Sequence, residues 1–478
     1  MICKSKSQSF LLPNSIIYVN MRHMAKTSKY NSFHITPAMI ILLGFAAIIL
    51  VGAFLLCLPI SNRAGEWIPF IDALFTSTTS VCVTGLMVFD IAMELNLFGQ
   101  IIVMLLIQIG GLGFVSMASF IFLLLRKKIN YSTRLTLQES LNKDDTQGVV
   151  ETIIKVLIIT LICEFVGFVL LTPSMIVYTG EVGMGIFRAL FLSISAFCNA
   201  GVDPLGSLTP EFSNLAFFID KSWVLIPVMA LIVVGGIGFL VILDLFDKNR
   251  KSKKINLHTR VVLIITSVLI LIGAAVTMIC EWNNDLTIGN LSVWDKIVNS
   301  FFQSITTRTA GFATFDQGAM SQVTIIFSEI LMFIGGSPAS FAGGMKTTTL
   351  FVLMLVLFRS TTQDGDIIYR NKKITHQTIN KALRIVLIGV GLVIVGSLLL
   401  FVFEGEKYTF GTVLFESISA ICTVGLTLGI TPVLSVGSKL VVILLMYIGR
   451  IGMLTIPLAF KTKESLSIDY VEAKIVVG

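Results

Sequence analysis

The sequence predicts an all-α integral membrane protein: eight transmembrane helices plus four re-entrant pore helices, built as four span–pore loop–span repeats around one pseudo-four-fold pore. Three observations carry that prediction. Of 478 residues, 55 % are hydrophobic and 13 % charged, with mean hydropathy +0.90; a soluble domain carries about 25 % charged residues. Apolar stretches of spanning length recur along the chain. Between the members of each pair lies a shorter run that ends in a similar word each time.

The spans fall at about 38–58, 98–125, 150–172, 222–246, 261–280, 322–358, 381–403 and 437–460, each near or above the roughly 20 apolar residues that cross a bilayer. The runs 71–85, 187–201, 296–311 and 411–425 are too short to cross and read as re-entrant helices, which need protein or water around their exposed backbone. The organisation that follows is an N-terminal segment 1–37, repeat 1 over 38–147, repeat 2 over 148–257, repeat 3 over 258–375 with a broken second span, and repeat 4 with the C-terminal tail over 376–478. The short apolar patch Phe10 to Val19 lacks a signal-peptide cleavage site. Met21 and Met24 also fit as initiators, and residues 1–20 are expected to be dispensable.

Charge sets the sidedness. The segments 1–36, 126–149, 247–260, 359–384 and 461–478 hold 25 of the 35 Lys and Arg residues. The alternate loops hold few basic residues and several acids, including Glu66, Asp203 and Glu281. By the positive-inside rule both termini are cytoplasmic and the re-entrant runs enter from outside. The net charge of +7 therefore reads as membrane topology, with basic loops facing membrane lipid or a docking partner, and no nucleic-acid partner is expected. The seven cysteines are dispersed with no CxxC pair, and the four histidines lie outside the spans. No metal cluster and no intramembrane nucleophile–base set is visible, so an enzyme is not expected.

The four short runs end as Phe75-Thr-Ser-Thr-Thr-Ser-Val-Cys-Val-Thr-Gly85, Phe191-Leu-Ser-Ile-Ser-Ala-Phe-Cys-Asn-Ala-Gly201, Phe302-Gln-Ser-Ile-Thr-Thr-Arg-Thr-Ala-Gly311 and Phe415-Glu-Ser-Ile-Ser-Ala-Ile-Cys-Thr-Val-Gly425. The glycines lie 116, 110 and 114 residues apart. A cation entering a narrow pore loses hydration water, and backbone carbonyls must replace it. Glycine permits φ > 0, so consecutive carbonyls can turn to one axis. Each short helix aims its partly negative C-terminal end at the membrane centre. The candidate ion-binding positions are Gly85, Gly201, Gly311 and Gly425, with the carbonyls of Thr84, Ala200, Ala310 and Val424 before them. Close helix packing is the other use of such glycines, and it suits the Gly-Gly pairs of the later words Ile109-Gly-Gly-Leu-Gly-Phe114, Val234-Gly-Gly-Ile-Gly-Phe239, Ile334-Gly-Gly-Ser337 and Ile448-Gly-Arg-Ile-Gly-Met453 better.

With these words in place the chain, from about residue 37 onward, resembles the Trk/Ktr/HKT superfamily of potassium transporters: the four-fold plan, the single filter glycines, Thr307-Arg-Thr-Ala-Gly311 and Tyr447-Ile-Gly-Arg450 carry the likeness. Eight spans fit the Ktr-type membrane subunit. The resemblance implies K⁺ uptake across the plasma membrane of a bacterium, K⁺ held at filter backbone carbonyls, a homodimer, and a cytosolic ring of nucleotide-binding (RCK-type) regulatory subunits. This chain lacks G-x-G-x-x-G, so the nucleotide is expected on that partner and no cofactor in this chain. Sodium-preferring relatives carry serine at the first filter position, whereas Gly85 is intact. Whether Na⁺ activates transport stays open. The alternative is an ion-coupled secondary transporter, a Na⁺/K⁺ symporter with a midplane site.

Two gate candidates follow. The run 322–358 is longer than a span needs and contains Gly335, Gly336, Ser337, Pro338, Gly343, Gly344 and Lys346; it reads as an unwound loop beneath the filter, the position of the resembling family's gating loop, or as a kinked helix. Arg450 sits mid-span, where a charge costs about 2.5–3.5 kcal/mol to insert. It reads as a fixed positive barrier under the filter, or as the partner of Glu164 or Glu416. Arg308 is expected to point away from the ion, Glu164 to pair within the protein, and Asp72, Asp295 and Glu416 to cap their helices.

Overall fold

The computed structural model describes residues 37–113, 149–206, 212–246, 255–358, 366–370 and 372–452, all within one compact unit that begins at Pro37. The expectations for the N-terminal segment, the loop 126–148 and the tail beyond 452 lie outside the described residues.

The chain runs α1 (Pro37–Cys57), α2 (Phe70–Cys82), a one-turn α3 (Ile91–Glu94) and α4 (Leu97–Leu112). It continues with α5 (Val149–Thr179), α6 (Val182–Phe197), α7 (Ser222–Ile237) and α8 (Phe239–Leu245). Next come α9 (Leu257–Glu281), α10 (Val293–Thr306), α11 (Gln322–Phe333) and α12 (Thr347–Phe358). A small antiparallel hairpin, β1 (Ile367–Tyr369) with β2 (Lys372–Ile374), pairs Ile367 with Ile374. The chain then forms α13 (His376–Glu404), α14 (Phe410–Ile421) and α15 (Val436–Ile451). Four helices among the described residues, α1, α5, α9 and α13, are each long and apolar enough to cross a membrane.

Two boundaries differ from expectation. Helix α5 continues through Pro173 to Thr179 instead of stopping at 172; proline costs a hydrogen bond and crowds the carbonyl four residues back, a disruption that helices at membrane depth tolerate. The expected single span 222–246 is bent by 95° between α7 and α8, at Gly238, whose φ of 98° no helix contains. The run 322–358 is interrupted as expected, between Phe333 and Thr347.

Small residues join each short helix to the spans around it. The Phe-x-Ser serines of the first three words reach across: Ser77 Oγ donates to Ile49 O (2.7 Å), Ser193 Oγ to Glu164 O (2.6 Å) and Ser304 Oγ to Ile270 O (2.8 Å). Opposite them lie Gly52, Gly167 and Gly273, where an added Cβ would come within 2.5 Å of the serine oxygen and within 2.8 Å of Leu106, Leu231 and Leu331 respectively. Lipid offers no hydrophobic drive between helices, so close backbone approach and such hydrogen bonds supply the adhesion. The leading phenylalanines, Phe75, Phe191, Phe302 and Phe415, are all fully buried.

Helix starts are capped by short polar side chains. Asn96, Ser321 and Ser435 accept from the amides of Gly99, Thr324 and Ser438 at the heads of α4, α11 and α15. The carboxylates that end α9 and α13 take the cap residues' own amides: Glu281 accepts from Ser321 N (2.9 Å) and Glu404 from Ser435 N (2.8 Å). None of the three acids expected to cap short helices caps by its own side chain. At the head of α10 Ser292 is the cap: its Oγ accepts from the Asp295 amide and donates to the Asp295 carboxylate. Asp72 instead pairs with Lys439 at 2.6 Å, tying α2 to α15. Glu416 lies in the second turn of α14, too far in to cap, and accepts from the Thr431 hydroxyl.

Candidate ion pathway

Helices α2, α6, α10 and α14 end three to five residues before their glycines. Their last amide donors turn the chain: Thr84 N, Ala200 N and Val424 N reach back to Thr79 O, Ser195 O and Ser419 O at 2.8–2.9 Å, and Ala310 N to Thr306 O at 2.9 Å. Two residues before each glycine the backbone turns left-handed, at Val83 (φ 55°), Asn199 (59°), Thr309 (69°) and Thr423 (50°). The glycines follow with φ of 103°, 66°, 78° and 97°, values costly for any residue with a Cβ. Hydroxyls pin the result. Thr79 Oγ1 and Ser419 Oγ accept from Gly85 N and Gly425 N, Ser195 Oγ exchanges bonds with Val202, and Thr306 Oγ1 donates to Phe312 O.

The four glycines meet. A Cβ on Gly85 would lie 2.7 Å from Ala200 O; on Gly201, 2.7 Å from Ala310 O; on Gly311, 2.5 Å from Val424 O; and on Gly425, 2.1 Å from Thr84 O. The contacts run in chain order and close on themselves, so all eight candidate residues border one ring. The C-terminal, partly negative ends of four helices converge there. Next to it Asn214 donates to Gly201 O (3.1 Å), while Leu215 N donates to Ala313 O (3.0 Å). In that repeat the Gly201 carbonyl is thus already engaged, and Ala200 O remains the oxygen at the ring. Asp203, two residues past Gly201 in this loop, has its carboxyl pushed up to about 7 by burial and by the Asp90 carboxylate beside it.

Beneath the ring lies the stretch between α11 and α12. Its ends meet: Met345 N donates to Phe333 O and Thr347 N to Gly336 O, both at 3.0 Å, and the Ser337 and Thr347 hydroxyls bond at 3.1 Å. Gly335 backs onto Gly343, where a Cβ would sit 2.1 Å from Gly343 O, and Gly344 has φ 65°. The two Gly-Gly pairs permit this back-to-back crossing. The loop touches all four repeats. Gly343 N donates to Thr309 Oγ1 (3.2 Å), and a Cβ on Gly343 would collide with Thr423 and Cys422. Ser337 N and Phe341 N donate to Gly236 O (3.0 Å) and Gly235 O (3.4 Å). Lys346 Nζ turns back on the loop's own carbonyls, Ala342 O at 2.5 Å and Gly343 O at 3.4 Å.

Arg450 clamps this loop. Its guanidinium donates to Phe341 O (2.7 Å) and to Gly110 O (2.5 Å) and Gly111 O (2.9 Å) at the end of α4. The expected alternative, pairing with Glu164 or Glu416, is corrected: its acceptors are carbonyls, and both carboxylates have other partners. Glu164 accepts from Gln108 Nε2 (3.3 Å) and from the Cys198 thiol (3.9 Å). Arg308 points away from the ring as expected, its guanidinium on Thr266 O (3.3 Å) and Gly335 O (3.1 Å). The sequence reading missed Asn214, in a polar loop without periodicity, and the turn at Gly238, a glycine of a word assigned to packing; the matching glycines Gly113 and Gly452 also end their helices with positive φ.

A helical membrane protein with one ring of backbone carbonyls at the meeting point of four short helices defines an ion-conducting class. The comparisons agree. The family model described as TrkH, cation transport protein, matches residues 47–468, and the chain belongs to that family; it is a cation transporter rather than an enzyme. It is 38 % identical to the potassium/sodium uptake protein NtpJ of Enterococcus hirae, over 93 % of this chain and 98 % of that one. It is 37 % identical to Ktr system potassium uptake protein B of Bacillus subtilis, over 93 % and 97 %. The crystal structure of the potassium transporter TrkH from Vibrio parahaemolyticus shares the fold, with a TM-score of 0.67 at 17 % identity over 91 % of this chain and 86 % of that chain.

Proposed function

We propose that this protein takes up K⁺ across the bacterial plasma membrane through a selectivity filter of Gly85, Gly201, Gly311 and Gly425, its four repeats disposed with pseudo-four-fold symmetry about one pore. The closed ring of glycine-to-carbonyl contacts is the observation that carries the reading. It supports a single axial pathway over a symporter's midplane site between two halves, and the relatives named as potassium uptake proteins supply the ion.

The loop 335–346 and Arg450 form the gate, closed here. A guanidinium and the Lys346 ammonium beneath the ring oppose a cation leaving it, and the loop fills the path. Both termini face the cytosol, where a separate nucleotide-binding subunit, ring-shaped as in RCK assemblies, acts on the gate. The Ktr-system relatives support a two-component arrangement. The working unit is a homodimer. Its supporting feature is an apolar cavity of about 320 Å³ beside Glu329, a span-depth carboxylate with no hydrogen bond or ion pair among the described residues, which a second copy would cover.

The test is Rb⁺ uptake in a bacterium lacking its own K⁺ uptake systems, with the regulatory partner present. Wild type restores uptake at limiting K⁺. Gly311→Ser, whose Cβ meets Val424 O, lowers K⁺ affinity or admits Na⁺. Unaltered affinity and selectivity in a well-expressed Gly311→Ser protein overturns the filter assignment.

A further inference from the structure

The break between α7 and α8 leaves helix carbonyls that its own helix no longer uses. In a continuous helix Gly235 O and Gly236 O would accept from Phe239 N and Leu240 N, four residues on. Here both oxygens accept from the gate loop, from Phe341 N and Ser337 N, and Phe239 N donates instead to Ala339 O at 2.8 Å. The ring of Phe341 stands edge-on to Phe239 (centroids 5.0 Å apart) and to Phe197 at the end of α6 (5.2 Å). At the hinge, a Cβ on Gly238 would lie 2.5 Å from Pro338 O.

One of these bonds excludes its helical counterpart: Phe239 N has a single proton and serves either Ala339 O or Gly235 O. Gly235 O and Gly236 O, now bonded to the loop, are the oxygens that a straight helix would turn to Phe239 N and Leu240 N. We propose that straightening of the α7–α8 span and release of the loop 335–346 are one event, a hydrogen-bond exchange for which Gly238 and Phe239 are the positioning residues. The proposal rests on the gate assigned above and adds a second moving part to it. Helix α8 offers a route to that part from the cytosolic side. Its Asp244 holds Asn256 at the head of α9 through Nδ2 at 2.6 Å, and the sequence between them, 247–254, carries five Lys and Arg residues.

The experiment is Rb⁺ flux into proteoliposomes holding the purified full chain without its regulatory partner. Gly238→Ala strains the bent state, because φ 98° is nearly closed to alanine, and favours the continuous helix. Flux is expected to rise about tenfold, the factor that 1–2 kcal/mol of such strain corresponds to, with K⁺ over Na⁺ preference unchanged. Gly391→Ala in α13, where a Cβ meets nothing within 4 Å, leaves flux as in wild type. A second variant covers misfolding: in an Arg450→Ala background, an oxidised Phe239→Cys/Ala339→Cys bridge returns flux to the low level and reduction restores it. If Arg450→Ala raises flux while Gly238→Ala and the bridge do nothing, the exchange is wrong and the gate stands. If Arg450→Ala itself leaves flux low, the gate reading fails and the exchange with it.

Discussion

Arg450 holds three carbonyls contributed by two different parts of the chain, two at the end of α4 and one in the loop, so removing its side chain takes away a charge and a clamp together. Arg450→Ala should raise partner-independent Rb⁺ uptake at least several-fold. Arg450→Lys keeps the charge but loses the planar fork that reaches separate acceptors, and should fall between. Equal uptake in all three proteins argues against the barrier. On the proposed orientation Asp203 lies at the outer mouth and should add a pH dependence. Its carboxyl titrates near 7, so it is neutral in acid and charged above. As external pH rises through about 7 it gains a negative charge that concentrates cations at the entrance. Uptake should rise over that range and lose this step in Asp203→Asn, whereas an unchanged pH profile in the variant would detach Asp203 from conduction. The filter glycines and Arg450 were legible in the sequence because a repeated word and a mid-span charge are local signals. The acceptors of Arg450 were not, since carbonyl partners 109 and 340 residues away leave no mark on composition.

Three short helices, α2, α6 and α10, are held by a serine, and three, α2, α6 and α14, by a glycine on the following span. A Cβ on Gly110, Gly235 or Gly449 would lie 2.0 Å from the carbonyl of Val81, Phe197 or Ile421. Gly110→Ala therefore forces α2 away from α4 and should lower the melting temperature in detergent far more than Gly391→Ala. Ser193→Ala removes one interhelical hydrogen bond in a buried setting and should cost about 1 kcal/mol, read as a modest drop in the same melt. Comparable melting of Gly110→Ala and wild type would contradict the close contact. The elements themselves followed from apolar length and charge alternation. The bend at Gly238 did not, because its word reads as a packing motif; the matching glycines Gly113 and Gly452 likewise end their helices with positive φ. At the bend the loop 335–346 supplies hydrogen-bond partners that the break would otherwise leave unmet.

At the scale of the whole molecule, on the proposed four-repeat plan, the repeats do unequal work. Three deliver a serine-anchored short helix, while the fourth leaves Ser417 Oγ without a partner among the described residues and contributes Arg450 instead. The third breaks its second span to fill the path, and the second bends to receive that break. The one feature common to all four is the ring, and the central claim is that each glycine in it serves the same ion. The direct measurement is K⁺ and Na⁺ uptake affinity for serine substitutions at Gly85, Gly201, Gly311 and Gly425, taken one at a time in the purified, reconstituted protein. Each glycine has φ > 0 and an oxygen of the next repeat within 2.7 Å of the new Cβ, so all four variants are predicted to lose K⁺ preference over Na⁺. A series in which K⁺ preference survives at two or more of the four positions in folded protein would contradict a four-glycine filter.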